Sequence, residues 1–177
     1  GGPFPLASYA IAGEPSRNQL PARKFRLQHP DAFDQLLDLF TEAVAEFLQY
    51  QVAHGADVVQ VFDTYASVLP PADYKRHIVP RHREIVAAVD APTILFVRNM
   101  NGRLQQLAAA DPDVVGLDWT VEIGAARDQL GDLGVQGNLD PSVLFADRET
   151  IRERTREIIE AAGPRGHVLN LGHGVDR

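Results

Sequence analysis

No cysteine occurs among the 177 residues of this chain. Disulfides, thiolate metal centres and a cysteine nucleophile are therefore excluded, and any chemistry must use oxygen and nitrogen groups. Long apolar runs are missing as well. None approaches the roughly eighteen residues that read as a membrane-crossing helix, so no membrane partner is expected. Positive charge is scarce, with 17 Lys and Arg against 24 Asp and Glu and a net charge of −7. Nucleic-acid binders carry the opposite balance, so no nucleic-acid partner is expected either. An anionic ligand must find a local cationic pocket. Neither an initiator Met nor a charged segment before an apolar one precedes Gly1-Gly2-Pro3-Phe4, which predicts a start inside a domain and no signal peptide. What remains, 45% apolar and 23% charged residues, is the ordinary mixture of a soluble, intracellular globular protein.

Apolar periodicity divides the chain into alternating strands and helices. Phe33, Leu36, Leu37, Phe40, Val44, Phe47, Leu48 and Val52 recur at helical spacing, with Asp31 as the expected cap and Gly55 as the expected stop. Val58 to Phe62 reads as a buried strand, followed by a helix from Pro71 to Val89 that Pro80 should kink or break. Strand Thr93 to Val97, a helix near Leu104 to Ala110, strand Val114 to Leu117 and a helix near Glu122 to Leu130 come next. Val135-Gln136, helix Arg148 to Ala162 and strand His167 to Leu171 complete the order. Such alternation predicts βαβ units and a parallel sheet, in a doubly wound or a (β/α)8 arrangement. Polar residues follow the apolar strands immediately: Asp63-Thr64, Arg98-Asn99, Asp118, Asn138 with Asp140, and Asn170 with His173. Recruitment of polar groups from many strand ends favours the TIM-type barrel, in which ligands bind at the carboxyl ends. Five strands against the eight of a closed barrel predict an incomplete barrel forming a single domain over residues 1–177.

The run Leu169-Asn170-Leu171-Gly172-His173-Gly174 carries the strongest functional signal. It closes an apolar strand on a histidine flanked by glycines, which allow a sharp turn and leave the imidazole accessible. Gln136-Gly137-Asn138-Leu139-Asp140-Pro141 ends a second strand some thirty residues earlier. Together with Gly1 to Tyr9, Gln60-Val61-Phe62-Asp63-Thr64 and Leu117-Asp118-Trp119-Thr120, these motifs resemble, in order and spacing, the uroporphyrinogen decarboxylase family. The resemblance spans nearly the whole chain and matches the central and C-terminal part of that family's barrel.

That resemblance implies cofactor-free decarboxylation of the four acetate side chains of uroporphyrinogen III, giving coproporphyrinogen III in porphyrin biosynthesis. It also implies a tetrapyrrole substrate and a homodimer; the cytoplasm is the default compartment, with the plastid as the alternative. The family's substrate-touching tyrosine, small hydroxyl residue and histidine fall on Tyr9, Thr64 and His173. Its pyrrole-gathering aspartate and carboxylate-binding arginines belong to an N-terminal segment outside this chain.

Each residue also has an ordinary role open to it. Tyr9 can wedge a loop against the barrel. Thr64 stands where the family has serine, keeping the hydroxyl with a stiffer χ1. Asp63 and Asp118 read as caps of the turns that follow them, Asp140-Pro141 as a cap with proline at the first helical position, and Asn138 as either a cleft residue or a structural one. Arg98 admits three readings: a bidentate clamp on a substrate carboxylate, a plug that excludes the macrocycle, or a rim arginine paired with Asp63, Asp118 or water. The charged run Arg148 to Glu157 is the solvated face of an outer helix whose buried stripe is Ile151, Thr155, Ile158, Ile159 and Ala162. His77 and His82, five apart, do not share a helical face, and no zinc site is expected. Two other classes of function stand beside the decarboxylase: an inactive tetrapyrrole-binding remnant, and a cobalamin-linked methyltransferase, whose thiol-activating zinc the lack of cysteine disfavours.

Overall fold

The computed structural model describes residues 1–14 and 16–175. One parallel sheet lies at its centre, with its five strands side by side in chain order: β1 (Val59–Phe62), β2 (Thr93–Phe96), β3 (Val114–Gly116), β4 (Gly134–Gln136) and β5 (His167–Val168). Among the described residues three α-helices precede β1, namely α1 (Pro3–Ala12), α2 (Leu20–Gln28) and α3 (Pro30–Ala53), with a 3-10 turn at Arg17–Gln19 before α2. Between β1 and β2 run the single turn α4 (Pro71–Asp73), a π-helical stretch Tyr74–Ile78 and α5 (Val79–Ala88). The later crossovers carry α6 (Leu104–Ala108), α7 (Ile123–Leu130) and α8 (Arg148–Ala162). Among the described residues no helix is long and apolar enough to cross a membrane.

Strand register sorts the sheet into two faces. Val59, Val61, Leu95, Val115 and Val135 pair in rows on the face that the helices cover, and all five are buried. The other face carries Gln60, Phe62, Ile94, Phe96, Gly116, Gln136 and Val168. It is concave. The Gln136 amide donates to the Gln60 side-chain oxygen at 3.2 Å, joining β4 to β1, which would lie about 14 Å apart in a flat sheet. A parallel α/β sheet curled this strongly is barrel geometry, present as a segment of five strands.

Several expectations are corrected. Val168-Leu169 is not a buried strand: both residues are exposed, because β5 ends the sheet and its concave side is uncovered. Beyond Val168, among the described residues, an isolated bridge between Leu171 and Leu139 continues the pairing. His29, not Asp31, stands at the cap position of α3, since Pro30 occupies the first helical position and moves Asp31 into the first turn. Pro80 does not break its helix at its own position. The irregularity comes before it, as the π-helical stretch, so that Pro80 falls in the first turn of α5, where its missing N–H leaves no bond unmade. In α8 the expected stripe is only partly covered: Ala162 is buried and Ile159 is exposed. The apolar periodicity does not announce α1 and α2; α1 buries Pro3, Phe4, Pro5, Ala7 and Ser8 around most of its circumference and shows no polar face.

Candidate active site

The concave face ends, at the carboxyl side of the strands, in a rim built by loops. Helix α1 closes one side of it. Gly2 donates its N–H to the Phe62 carbonyl at 2.7 Å, and a Cβ on Gly2 would lie only 2.6 Å from the Asp63 Cβ. Glycine is therefore what lets α1 seat against the end of β1 and present Tyr9 to the rim.

Three adjoining clefts occupy this end. The innermost, about 410 Å³, is lined by Gln60, Phe62, Thr64, Phe96, Gln136 and His173 among others. A second, about 550 Å³, includes Tyr9, Gln19, Thr64, Tyr65, Arg98 and Asn99. The third, about 530 Å³, includes Arg98, Trp119, Asp140, Ser142, Phe145 and His173. Thr64 borders the first two, Arg98 the second and third, and His173 the first and third. Thr64, Arg98 and His173 thus surround one continuous opening, although they come from the ends of different strands. Tyr9 meets Thr64 and Arg98 across the second cleft and shares no cleft with His173.

Rings line the inner side. Phe96 lies 5.9 Å from Phe62 and 6.4 Å from the His173 imidazole, which also sets itself edge-on to Trp119 at 6.1 Å. Arg98 completes the series with its guanidinium 4.8 Å from the Trp119 ring. Its Nε is buried without a hydrogen-bond partner. Among the described residues the Arg98 side chain makes no ion pair, so of the rim reading the pairing with Asp63 or Asp118 is not made. Those carboxylates have other work. Tyr9 is 38% exposed, and partial burial together with its Tyr65 neighbour pushes its hydroxyl pKa up.

Asp118 does cap the turn after β3. It accepts from the Thr120 N–H at 2.8 Å and the Thr120 hydroxyl at 2.5 Å, and also from the Asn99 N–H. Asp63 does not cap its turn. The turn closes through the Asp63 backbone carbonyl, which accepts from Ala66, and the carboxylate instead meets His82 Nε2 at 2.6 Å with both side chains fully buried. His82 Nδ1 lies 3.4 Å from the buried Tyr74 hydroxyl. This network was invisible in the sequence, since nothing in the spacing of Asp63, Tyr74 and His82 shows that α5 passes behind the end of β1. Asn138 proves structural: its amide donates to the Asp118 and Val121 carbonyls at 2.9 and 2.6 Å. Asp140 accepts from the Ser142 N–H at 2.8 Å with Pro141 first in the turn, as expected of a cap. Gly172 serves a close approach rather than a free turn, because there is no room for a Cβ against the Trp119 backbone nitrogen.

The uroporphyrinogen decarboxylase (URO-D) family profile matches residues 1–176. The chain belongs to the uroporphyrinogen decarboxylase family. Curated relatives bearing that name include one from Gloeobacter violaceus, 42% identical over 99% of this chain and 52% of its own length. Another, from Hordeum vulgare, is 40% identical over 99% of this chain and 55% of its own. The chain spans about half the length of the curated relatives it matches. Among solved structures, a methyltransferase from Methanosarcina mazei superposes with a TM-score of 0.86 over 98% of this chain and 51% of its own, at 22% identity. Likeness at that identity shows the fold alone. It gives no support to the methyltransferase alternative beyond a shared barrel.

Proposed function

We propose that this chain forms the rim and roughly half the wall, as one domain, of a uroporphyrinogen decarboxylase, which converts uroporphyrinogen III to coproporphyrinogen III without a cofactor. One observation carries the reading. Arg98, Thr64 and His173 meet around a single opening, and the Arg98 guanidinium, unpaired among the described residues, has its fork available for a carboxylate.

The chemistry suits such a rim. Protonation of the pyrrole carbon beside an acetate-bearing position makes the ring an electron sink. The bond from the acetate methylene to its carboxylate breaks, carbon dioxide leaves, and the electron pair passes into the ring. The exocyclic carbon then takes a proton to become methyl while the ring proton departs. The protein must orient the macrocycle, deliver protons and steady charge. Arg98 clamps a side-chain carboxylate, His173 and Thr64 hydrogen-bond to the substrate within the innermost cleft, and Tyr9 donates its hydroxyl from the α1 side. Arg98 leans on Trp119 and does not line the innermost cleft, which favours the clamp over the plug and the decarboxylase over an inactive remnant. The working form is a homodimer in the cytoplasm, or in the plastid of a plant, as the relatives from rice and maize named chloroplastic suggest.

Carbon dioxide release from uroporphyrinogen under anaerobic conditions tests the assignment in the whole protein. His173→Ala and Arg98→Gly should each lower kcat/KM by an amount corresponding to about 1–3 kcal/mol, with the fold unchanged. A rise in affinity in Arg98→Gly would restore the plug, and unchanged kinetics in both variants would remove both residues from the mechanism.

A further inference from the structure

We infer that Trp119 is a positioning residue that sets Arg98 and His173 at their working separation, an inference that rests on the decarboxylase reading. Arg98 follows β2 and His173 lies beyond β5, and their side chains meet at the indole that follows β3. The guanidinium covers its face at 4.8 Å, and the imidazole meets it edge-on at 6.1 Å. A planar cation over an indole face is held by attraction to the ring's negative quadrupole, without using the donors that a carboxylate needs. Arg98 is thereby oriented while its fork stays available.

The platform is itself fixed from three directions. Asp118 ties the loop to the Asn99 N–H and to both donors of Thr120. Asn138 holds the carbonyls on either side, at Asp118 and Val121. Gly172 packs directly on the Trp119 main chain, so the loop that bears His173 takes its position from the same residue. Loss of the indole would therefore free the guanidinium from its face and remove the edge contact of the imidazole, while the main-chain packing of Gly172 stays in place.

A double-mutant cycle in the whole protein tests this, with binding of uroporphyrin followed by the porphyrin's own fluorescence and turnover followed by carbon dioxide release. Trp119→Phe keeps an aromatic face and should stay within about threefold of the native Kd, whereas Trp119→Leu should weaken binding roughly tenfold and raise KM more than it lowers kcat. Arg98→Met should cost much less in the Trp119→Leu background than in the native one. If Trp119→Leu fails to fold, the cycle of Trp119→Phe with Arg98→Met reads the same coupling on a smaller scale. Strictly additive losses, or native binding in Trp119→Leu, would overturn the inference and leave the decarboxylase reading standing. A folded native protein that binds no uroporphyrin would remove both.

Discussion

The two faces of the sheet follow opposite rules. On the convex face Leu95, Val115 and Val135 are fully buried, each beside helices that seal it. On the concave face Phe62 and Val168 are 49% and 47% exposed, and the polar pair Gln60 and Gln136 bridges the hollow. Burial of apolar side chains, about 1.5–3 kcal/mol for each large one, is concentrated on the convex side. The concave side carries rings and hydrogen-bonding groups, and of its apolar residues Ile94 and Phe96 on the inner strand β2 are buried while Phe62 and Val168 on the outer strands are exposed. Stability and chemistry are thus segregated across one layer of backbone. They meet at the strand ends, where Asp63 turns its carboxylate back to α5 and the next residue, Thr64, faces the cleft.

Breaking that junction should have the largest effect. His82→Ala would leave the Asp63 carboxylate buried without its partner, at a cost of about 3–5 kcal/mol, read as a fall in the midpoint of chemical denaturation of the whole protein. The paired substitution Asp63→Asn with His82→Gln restores a neutral hydrogen-bonded contact and should recover part of the loss. Equal loss in the single and double variants would show that the pair is not coupled.

A contrast within β2 and β1 sharpens the distinction between faces. Leu95→Ala removes a fully buried side chain from the convex core and should cost about 2–5 kcal/mol. Phe62→Ser, on the neighbouring strand but the concave face, should change the unfolding free energy of this chain by about 1 kcal/mol or less. It should also reduce self-association in light scattering, since Phe62 belongs to an exposed apolar edge. Comparable destabilisation by both substitutions would contradict the segregation.

The same segregation explains what the sequence made legible. Convex-face strands and α3 declare themselves through apolar runs and helical spacing, because burial selects residue type position by position. The order of Thr64, Arg98 and His173 after their strands was readable for the related reason that parallel strands deliver their ends to one side. Partners were not readable. The spacing of Arg98 and Trp119 in the chain says nothing of their stacking, and Asp63 looked like any aspartate after a strand because the histidine it meets lies on a helix whose path depends on tertiary packing. Helix α1 was hidden for the opposite reason: covered on most sides, it lacks the polar face by which an amphipathic helix is recognised.

The convex layer is not uniform, and its weakest member offers the smallest and most local test. Helix α8 buries only Ala162 among its residues, so its order depends more on its end than on packing. Asp147 caps it, accepting from the Thr150 N–H at 2.8 Å. That bond to Thr150 holds the Asp147 carboxyl below the usual carboxylate range. A folded-state pKa below the unfolded value contributes stability that is present above the unfolded pKa and is lost as pH falls through the folded one. Hydrogen exchange at the Thr150 amide should therefore accelerate relative to its intrinsic rate as the solution is acidified below about pH 4, while amides of β2 stay protected. Asp147→Asn keeps a capping oxygen of similar strength without the charge, so its protection should be insensitive to the same acidification. Because Asp147 is solvent-exposed, the global unfolding midpoint should shift little in either protein. A native Thr150 amide as well protected in acid as at neutral pH would show that packing, and not the charged cap, holds the start of α8.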